Sequence, residues 1–162
     1  MIILMDKTVL DAEKNEASQA TAWSVFSELV KLRLTTMVLI TTLVGFYAGL
    51  DAESGGLAQN LAKLGLTLLG TGLLAAGASI LNQYLEREYD AKMDRTAGRP
   101  LPSGQIGVEA SLLLGGAVSV GGLLALAACV NLLVALLGAV TLVTYLFIYT
   151  PLKRKSEWNT II

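Results

Sequence analysis

Three stretches of the sequence contain no charged side chain, and each is strongly apolar. They are Leu34–Leu50, Leu64–Leu85 and Ala110–Leu152. Because a membrane-spanning helix needs about 20 largely apolar residues, the first two stretches predict one helix each. The first reaches that length by including Lys31 and Arg33, whose long side chains can extend to the interface. The third is long enough for two helices joined by a turn at Asn131. The pattern therefore predicts four spans, at about 29–50, 62–83, 108–129 and 132–150.

Composition supports this interpretation of the pattern. Hydrophobic residues make up 54% of the 162 residues and charged residues only 15%, whereas soluble domains carry about 25% charged residues. We therefore predict an all-α, polytopic transmembrane bundle embedded in a lipid bilayer. Residues 1–27 are expected to form a polar N-terminal tail, and residues 28–162 the membrane domain.

The distribution of basic residues predicts the orientation of these spans. In a four-span arrangement, eleven of the twelve lysines and arginines fall on the same side as the N-terminus, the loop after span two and the C-terminal end. Basic loops face the cytoplasm, so we expect a multi-pass protein of the inner (plasma) membrane with these segments cytoplasmic. The net charge of −1 says little about nucleic acid by itself, and nucleic acid is not an expected partner.

Missing residue types exclude several kinds of site. The sequence has no histidine and one cysteine, Cys129. Histidine-type zinc sites, Ser-His-Asp triads and haem ligation through a histidine are therefore excluded for this segment. Cys129 lies in an apolar stretch without a partner, which favours a small core- or lipid-facing residue.

The most polar segment lies between spans two and three and contains four oxygen-bearing side chains spaced by four residues. These are Asn82, Glu86, Asp90 and Asp94. On a helix this spacing places them along one face, where acids repel one another unless a cation offsets the repulsion. Mg²⁺ prefers oxygen ligands and often shares them with a phosphate, so we predict that these four residues bind Mg²⁺. Acids this close to a span boundary are costly and usually functional.

Basic residues follow the acidic row and could contact an anion bound beside the metal. Arg95 and Arg99 come directly after it, and Lys153 and Arg154 follow span four on the same side. Arginine matches the geometry of phosphate oxygens well. We predict that these four residues bind a diphosphate, although ordinary cytoplasmic loop charge explains Lys153 and Arg154 equally well.

These residues together resemble the first aspartate-rich motif of the UbiA intramembrane prenyltransferases. The resemblance rests on Asn82-x-x-x-Glu86-x-x-x-Asp90, followed by Arg95-Thr-x-x-Arg99-Pro-Leu-Pro-Ser-Gly, and covers residues 28 to 162. Two positions depart from the family pattern: Glu86 replaces an aspartate, and Leu32 stands where a proline is expected. The segments Asn82-Gln83-Tyr84 and Tyr149–Arg154 resemble the branch that farnesylates haem.

The resemblance implies an enzyme that ionises farnesyl diphosphate with Mg²⁺, with Asn82, Glu86 and Asp90 as its catalytic residues. The vinyl group of haem B would then attack the farnesyl cation, so haem would be a substrate. The resemblance also implies nine spans and a second acidic motif. Residues 28–162 would then be an N-terminal half, and we expect that half to be inactive alone.

Two alternatives remain open. The same chemistry could act on an aromatic quinone precursor such as 4-hydroxybenzoate or a naphthoate. The chain could instead be a non-catalytic membrane module or a divalent-cation carrier, which is disfavoured because the interiors of spans two to four carry no acid.

Overall fold

The structure, a computed structural model, describes residues 23–50 and 56–155, with the side chains of residues 153–155 left out. Most of the described residues are helical, and the longest non-helical segment among them is the loop 91–107. The helices are α1 (Trp23–Val30), α2 (Leu32–Ala48), α3 (Leu57–Asp90), α4 (Val108–Cys129), α5 (Leu132–Val143) and α6 (Thr150–Lys155), with a π-helical stretch, Thr144–Tyr149, joining α5 to α6. The prediction of an all-α membrane bundle is confirmed.

Three continuous helices among the described residues are long and apolar enough to cross a membrane. They are Leu57–Asp90, Val108–Cys129 and Leu132–Leu152. The number rises to four if the bent pair α1 and α2 forms one span. The predicted spans at 108–129 and 132–150 match the second and third of these helices. The helix at 62–83 is longer than predicted and continues to Asp90, so the polar motif begins on the helix itself.

The first predicted span is broken at Lys31. This residue has φ 48° and ψ 58°, in the left-handed region, and the axes of α1 and α2 differ by 52° across it. Left-handed geometry costs a non-glycine residue about 1–2 kcal/mol. Residues 23–27, assigned to the polar tail from sequence, belong to α1, while residues 1–22 lie outside the described residues.

Helices α3 and α4 pack most closely, because glycines occupy their crossing. A Cβ atom added at Gly122 would lie 2.8 Å from the Leu74 nitrogen and 2.9 Å from the Gly70 oxygen. Small residues let helix backbones approach closely in lipid, where no hydrophobic effect drives helices together. Packing therefore accounts for these glycines.

The turn between α4 and α5 lies at Asn131, as predicted. The Asn131 side chain accepts a hydrogen bond of 2.8 Å from the Leu133 nitrogen, which caps the first turn of α5. The helix then runs into the π-helical stretch and α6, and this continuous rod lies against α3. Its last turns reach the polar end of α3.

The burial pattern is the reverse of that in a soluble domain. Large apolar side chains such as Leu113 and Val140 are 72% and 63% exposed, whereas Gln83, Ser111 and Thr150 are 1% exposed. An apolar surface of this kind suits a lipid environment. The buried polar groups must be hydrogen-bonded or bind a ligand. The interior polar residues therefore indicate where to look for a site.

Candidate active site

The last two turns of α3 present a buried polar face. Asn82, Glu86 and Asp90 are 3%, 7% and 5% exposed, and the four-residue spacing places them on one side of the helix. The Asn82 Nδ2 atom donates to Glu86 Oε2 at 3.0 Å. The structure thus brings together three of the four residues expected to bind metal. The fourth, Asp94, is exposed and lies beyond the end of the helix.

A residue from the last span contacts this face. Thr150 is 1% exposed, and its hydroxyl lies 2.8 Å from Asn82 Oδ1 and 2.9 Å from the Tyr145 carbonyl oxygen, both of which are acceptors. The π-helical stretch Thr144–Tyr149 directly precedes Thr150 and sets its position. π-Helical turns occur frequently at functional sites. Residues 68 positions apart are therefore held together at Asn82.

The loop after α3 folds back onto the site through a buried ion pair. Arg99 Nη1 donates to Asp90 Oδ2 at 2.6 Å, and their side chains are 23% and 6% exposed. The Thr96 hydroxyl donates to the Asp90 carbonyl oxygen at 2.9 Å, and Pro100 and Leu101 are buried beside it. Arg99 therefore pairs with Asp90, one of the predicted metal ligands, and its predicted contact with a diphosphate stays a prediction.

The other predicted anion-binding residues are placed differently. Arg95 is exposed on the same loop. Lys153 and Arg154 lie on the backbone of α6, three and four residues after Thr150, which puts that helical turn at the same end of the bundle. Their side chains lie outside the described residues. Of the four, Arg99 alone is seen in contact with the acidic face.

Gln83 is a buried residue at the site that sequence reasoning missed. It is 1% exposed, and its Nε2 donates to the carbonyl oxygens of Glu28 at 2.9 Å and Leu29 at 3.2 Å. These carbonyls end α1, just before the break at Lys31. Within the described part of the chain, Gln83 Oε1 is a buried acceptor without a hydrogen-bond partner. The resemblance included Gln83 and Thr150, but local spacing gave no reason to select either.

The chemistry of the donors on this face fits Mg²⁺ in part. Asn82, Glu86 and Asp90 offer only oxygen ligands plus one amide nitrogen, and Mg²⁺ is usually held by one or two carboxylates together with substrate phosphates. Across residues 23–50 and 56–155, no three His, Cys, Asp or Glu side chains lie close enough to hold a metal ion among themselves. Because Asn82 turns its nitrogen towards Glu86 and its oxygen towards Thr150, the two carboxylates are the donors suited to a cation that a phosphate helps to bind.

An apolar groove of about 640 Å³ runs along the bundle between α2, α3 and α5. Its lining includes Val38, Leu126 and Leu137. At one end lie Ser79, which precedes Asn82 on α3 by three residues, and Tyr145, whose carbonyl contacts Thr150. This volume is within the range of about 300–1,000 Å³ typical of small-molecule sites. The groove and the polar face together could accommodate an amphiphile with an anionic head and an oily tail.

This fold and site define a class of intramembrane proteins in which a helical bundle joins an oxygen-rich face to an apolar groove. Comparison with known proteins identifies the class: the model of the UbiA prenyltransferase family matches residues 38–162. The chain belongs to the UbiA prenyltransferase family.

Several curated relatives carry the name protoheme IX farnesyltransferase. The one from Solibacter usitatus is 47% identical over 141 residues, covering 85% of this chain and 48% of that protein. The relative from Opitutus terrae is 39% identical, with 86% and 45% covered, and that from Leptospira interrogans is 36% identical, with 90% and 49% covered. The chain therefore spans about half the length of these relatives. No solved structure matches it significantly.

Proposed function

We propose that this chain forms the N-terminal half of a protoheme IX farnesyltransferase, which transfers the farnesyl group of farnesyl diphosphate to haem B, and that this half supplies part of the diphosphate site. The observation that carries the proposal is the buried face of Asn82, Glu86 and Asp90 at the end of an apolar groove. The names of relatives up to 47% identical support the choice of haem as the acceptor. Haem is then a substrate and not a cofactor.

Different residues of this chain would bind the diphosphate and the hydrocarbon tail of farnesyl diphosphate. The groove would hold the hydrocarbon tail, and the allylic cation formed at its end would be shielded from bulk water. As the carbon–oxygen bond breaks, negative charge develops on the departing diphosphate. Arg99 lies where it could offer its guanidinium to those oxygens, and Arg95, Lys153 and Arg154 are further candidates on the same side.

Magnesium is proposed as the cofactor on the strength of the donor set. Asn82, Glu86 and Asp90 would hold it, while Asp94 could contribute only if the exposed turn after α3 moved towards the site. When bound, the ion would neutralise charge on the diphosphate and make it a better leaving group. The terminal vinyl carbon of haem B would form the new carbon–carbon bond, and addition of water would complete the hydroxyethylfarnesyl group.

The distribution of basic residues supports a cytoplasmic orientation for this site. The loop after α3 and the end of α6 carry most of the basic residues in the described part of the chain, and basic loops face the cytoplasm. Farnesyl diphosphate would then reach the site from the cytoplasmic side, and its tail would enter the groove from the membrane.

The test supplies the full-length protein, expressed from its complete reading frame, with farnesyl diphosphate, Mg²⁺ and one acceptor at a time. Mass spectrometry should detect a farnesylated product with haem B and none with 4-hydroxybenzoate. Asn82→Ala and Asp90→Asn should abolish the product, whereas Arg87→Ala, on an exposed ion pair of the same helix, should retain it. Farnesylation of the benzoate alone would overturn the haem assignment. Full activity of Asp90→Asn would overturn the site.

A further inference from the structure

Helix α1 carries an exposed pair of aromatic side chains. Trp23 and Phe26 are 63% and 50% exposed, and their spacing of three residues places them on the same side of the helix. Their ring centroids lie 5.8 Å apart. The other end of α1 is buried in the bundle, where Leu29 and Val30 are 4% and 7% exposed. The first turns of α1 therefore leave the bundle with an aromatic pair uncovered.

Two basic residues indicate the level of the break between α1 and α2 in the membrane. Lys31 stands at the break, and Arg33 is exposed two residues later. A charged group in the hydrocarbon core is costly, and long basic side chains extend to the interface instead. The uncharged part of α2 begins directly afterwards, at Leu34. The break therefore lies near the boundary between the hydrocarbon core and the headgroups.

The bend at Lys31 keeps α1 at the level of the headgroups. A straight continuation of α2 over the eight residues Trp23–Val30 would rise about 12 Å along the helix axis. Because the axes of α1 and α2 differ by 52°, the actual rise along α2 is about 7 Å. The headgroup region on each side of a bilayer is about 5–8 Å thick. Even the first residue of α1 therefore stays at the level of the headgroups, whichever way the helix turns.

The chemistry of the two side chains suits this layer. Tryptophan is enriched at membrane interfaces, because its ring is apolar while its N–H group can donate to the phosphate and carbonyl oxygens of a phospholipid. Phe26 adds apolar area one turn away, of the kind that interfacial helices bury at the boundary between headgroups and acyl chains. The phospholipid headgroup layer is thus the partner that matches both the level and the chemistry of the pair.

We propose that Trp23 and Phe26 form a membrane-docking surface that binds the phospholipid headgroup layer at the polar end of the bundle. This surface lies outside the candidate active site and requires no substrate. Gln83 connects it to α3, because the Gln83 amide donates to the carbonyl oxygens of Glu28 and Leu29. The docked helix is therefore joined directly to the helix that carries the polar face.

The test measures the depth of Trp23 by fluorescence quenching in the full-length protein, reconstituted into phosphatidylcholine vesicles. The lipids are brominated either near the headgroup or near the end of the acyl chain, and iodide serves as the quencher in water. The difference in emission between the parent and Trp23→Phe isolates Trp23 from every other tryptophan. Ile40→Trp, made on the Trp23→Phe background, is the matched control, since Ile40 lies in the middle of α2 and is 55% exposed.

Bromine near the headgroup should quench Trp23 about twofold more than bromine near the chain end, and the Ile40→Trp control should show the reverse order. Quenching of Trp23 by iodide alone would place it in water, and quenching mainly by the deep bromine would place α1 within the hydrocarbon core. Protection from all three quenchers would mean that protein covers it. Each of these three results overturns the proposal.

A second measurement tests whether Phe26 belongs to the same surface. Phe26→Ser removes apolar area beside Trp23 and should raise the iodide quenching of Trp23 about twofold. Ser27→Ala is the matched control, because it removes a hydroxyl that bonds within α1, and it should leave the quenching unchanged. If Phe26→Ser also leaves the quenching unchanged, the two aromatic residues do not bind the membrane together and the proposal is wrong.

Discussion

The ion pair between Asp90 and Arg99 gives a stability prediction that is independent of substrate. The two side chains meet at 2.6 Å and are 6% and 23% exposed. Removing one member of a buried pair leaves an uncompensated charge and costs about 3–5 kcal/mol. Because Arg99 is partly exposed, water can reach the vacated position, and we expect Arg99→Ala to cost about 2–3 kcal/mol of unfolding free energy.

The two partners should not be equivalent. Asp90→Asn leaves an amide oxygen for Arg99, whose partly exposed guanidinium can also turn towards water, so this change should cost about 1 kcal/mol. In the double variant that combines Asp90→Asn with Arg99→Ala, no buried carboxylate is left without a partner. Its destabilisation should therefore be smaller than the sum of the single changes, as is usual for residues in contact.

Unfolding in mixed micelles, titrated with sodium dodecyl sulfate and followed by far-ultraviolet circular dichroism, measures these free energies. Glu88→Ala is the matched control, because it removes only the exposed ion pair with Arg87, whose side chains are 32% (Arg87) and 74% (Glu88) exposed, and this pair should contribute less than about 0.5 kcal/mol. The reasoning is refuted if Arg99→Ala unfolds like Glu88→Ala, or if the changes at positions 90 and 99 are additive.

Three further replacements test the packing and hydrogen bonds of the bundle. Gly122→Ala should destabilise it by about 1–3 kcal/mol in the same titration, since the added methyl meets Leu74, whereas Gly116→Ala, with nothing within 4 Å of its Cβ, should be neutral or stabilising. Asn131→Ala removes the cap of α5 and should cost about 1 kcal/mol. Thr150→Val should reduce prenyl transfer and Thr150→Ser should largely retain it, and equal activity of the two would exclude a role for the hydroxyl.

Features set by local pattern were predictable from the sequence. The span at 108–129 and the turn at Asn131 follow from a long uncharged, apolar stretch that contains a single asparagine. The shared, buried face of Asn82, Glu86 and Asp90 follows from a spacing of four on a helix. These features need only helical geometry and the cost of placing polar groups in lipid.

Features set by distant contacts were not predictable in the same way. The break at Lys31 requires a left-handed residue that carries a side chain, and the carbonyl oxygens of Glu28 and Leu29 just before it accept hydrogen bonds from Gln83 on another helix. The contact of Thr150 with Asn82 joins residues 68 positions apart. Asp94 was expected on the helical face because the spacing of four residues continues. The helix instead ends at Asp90, and the loop that follows turns back so that Arg99 contacts the Asp90 carboxylate.

The contacts on the polar face also bear on how a ligand would bind. Glu86 and Asp90 each have a donor of their own, the Asn82 amide and the Arg99 guanidinium, so the protein itself offsets the charge of these buried acids. A cation that binds Glu86 or Asp90 must displace the donor that each acid already has. Its affinity is therefore the difference between the free energy of the new metal–oxygen contacts and that of the hydrogen bond or ion pair that it replaces. A diphosphate that accepts hydrogen bonds from Arg99 would separate Arg99 from Asp90, and the Asp90 carboxylate would then be available to the cation. We therefore expect Mg²⁺ and the prenyl diphosphate to bind together far more tightly than Mg²⁺ binds alone.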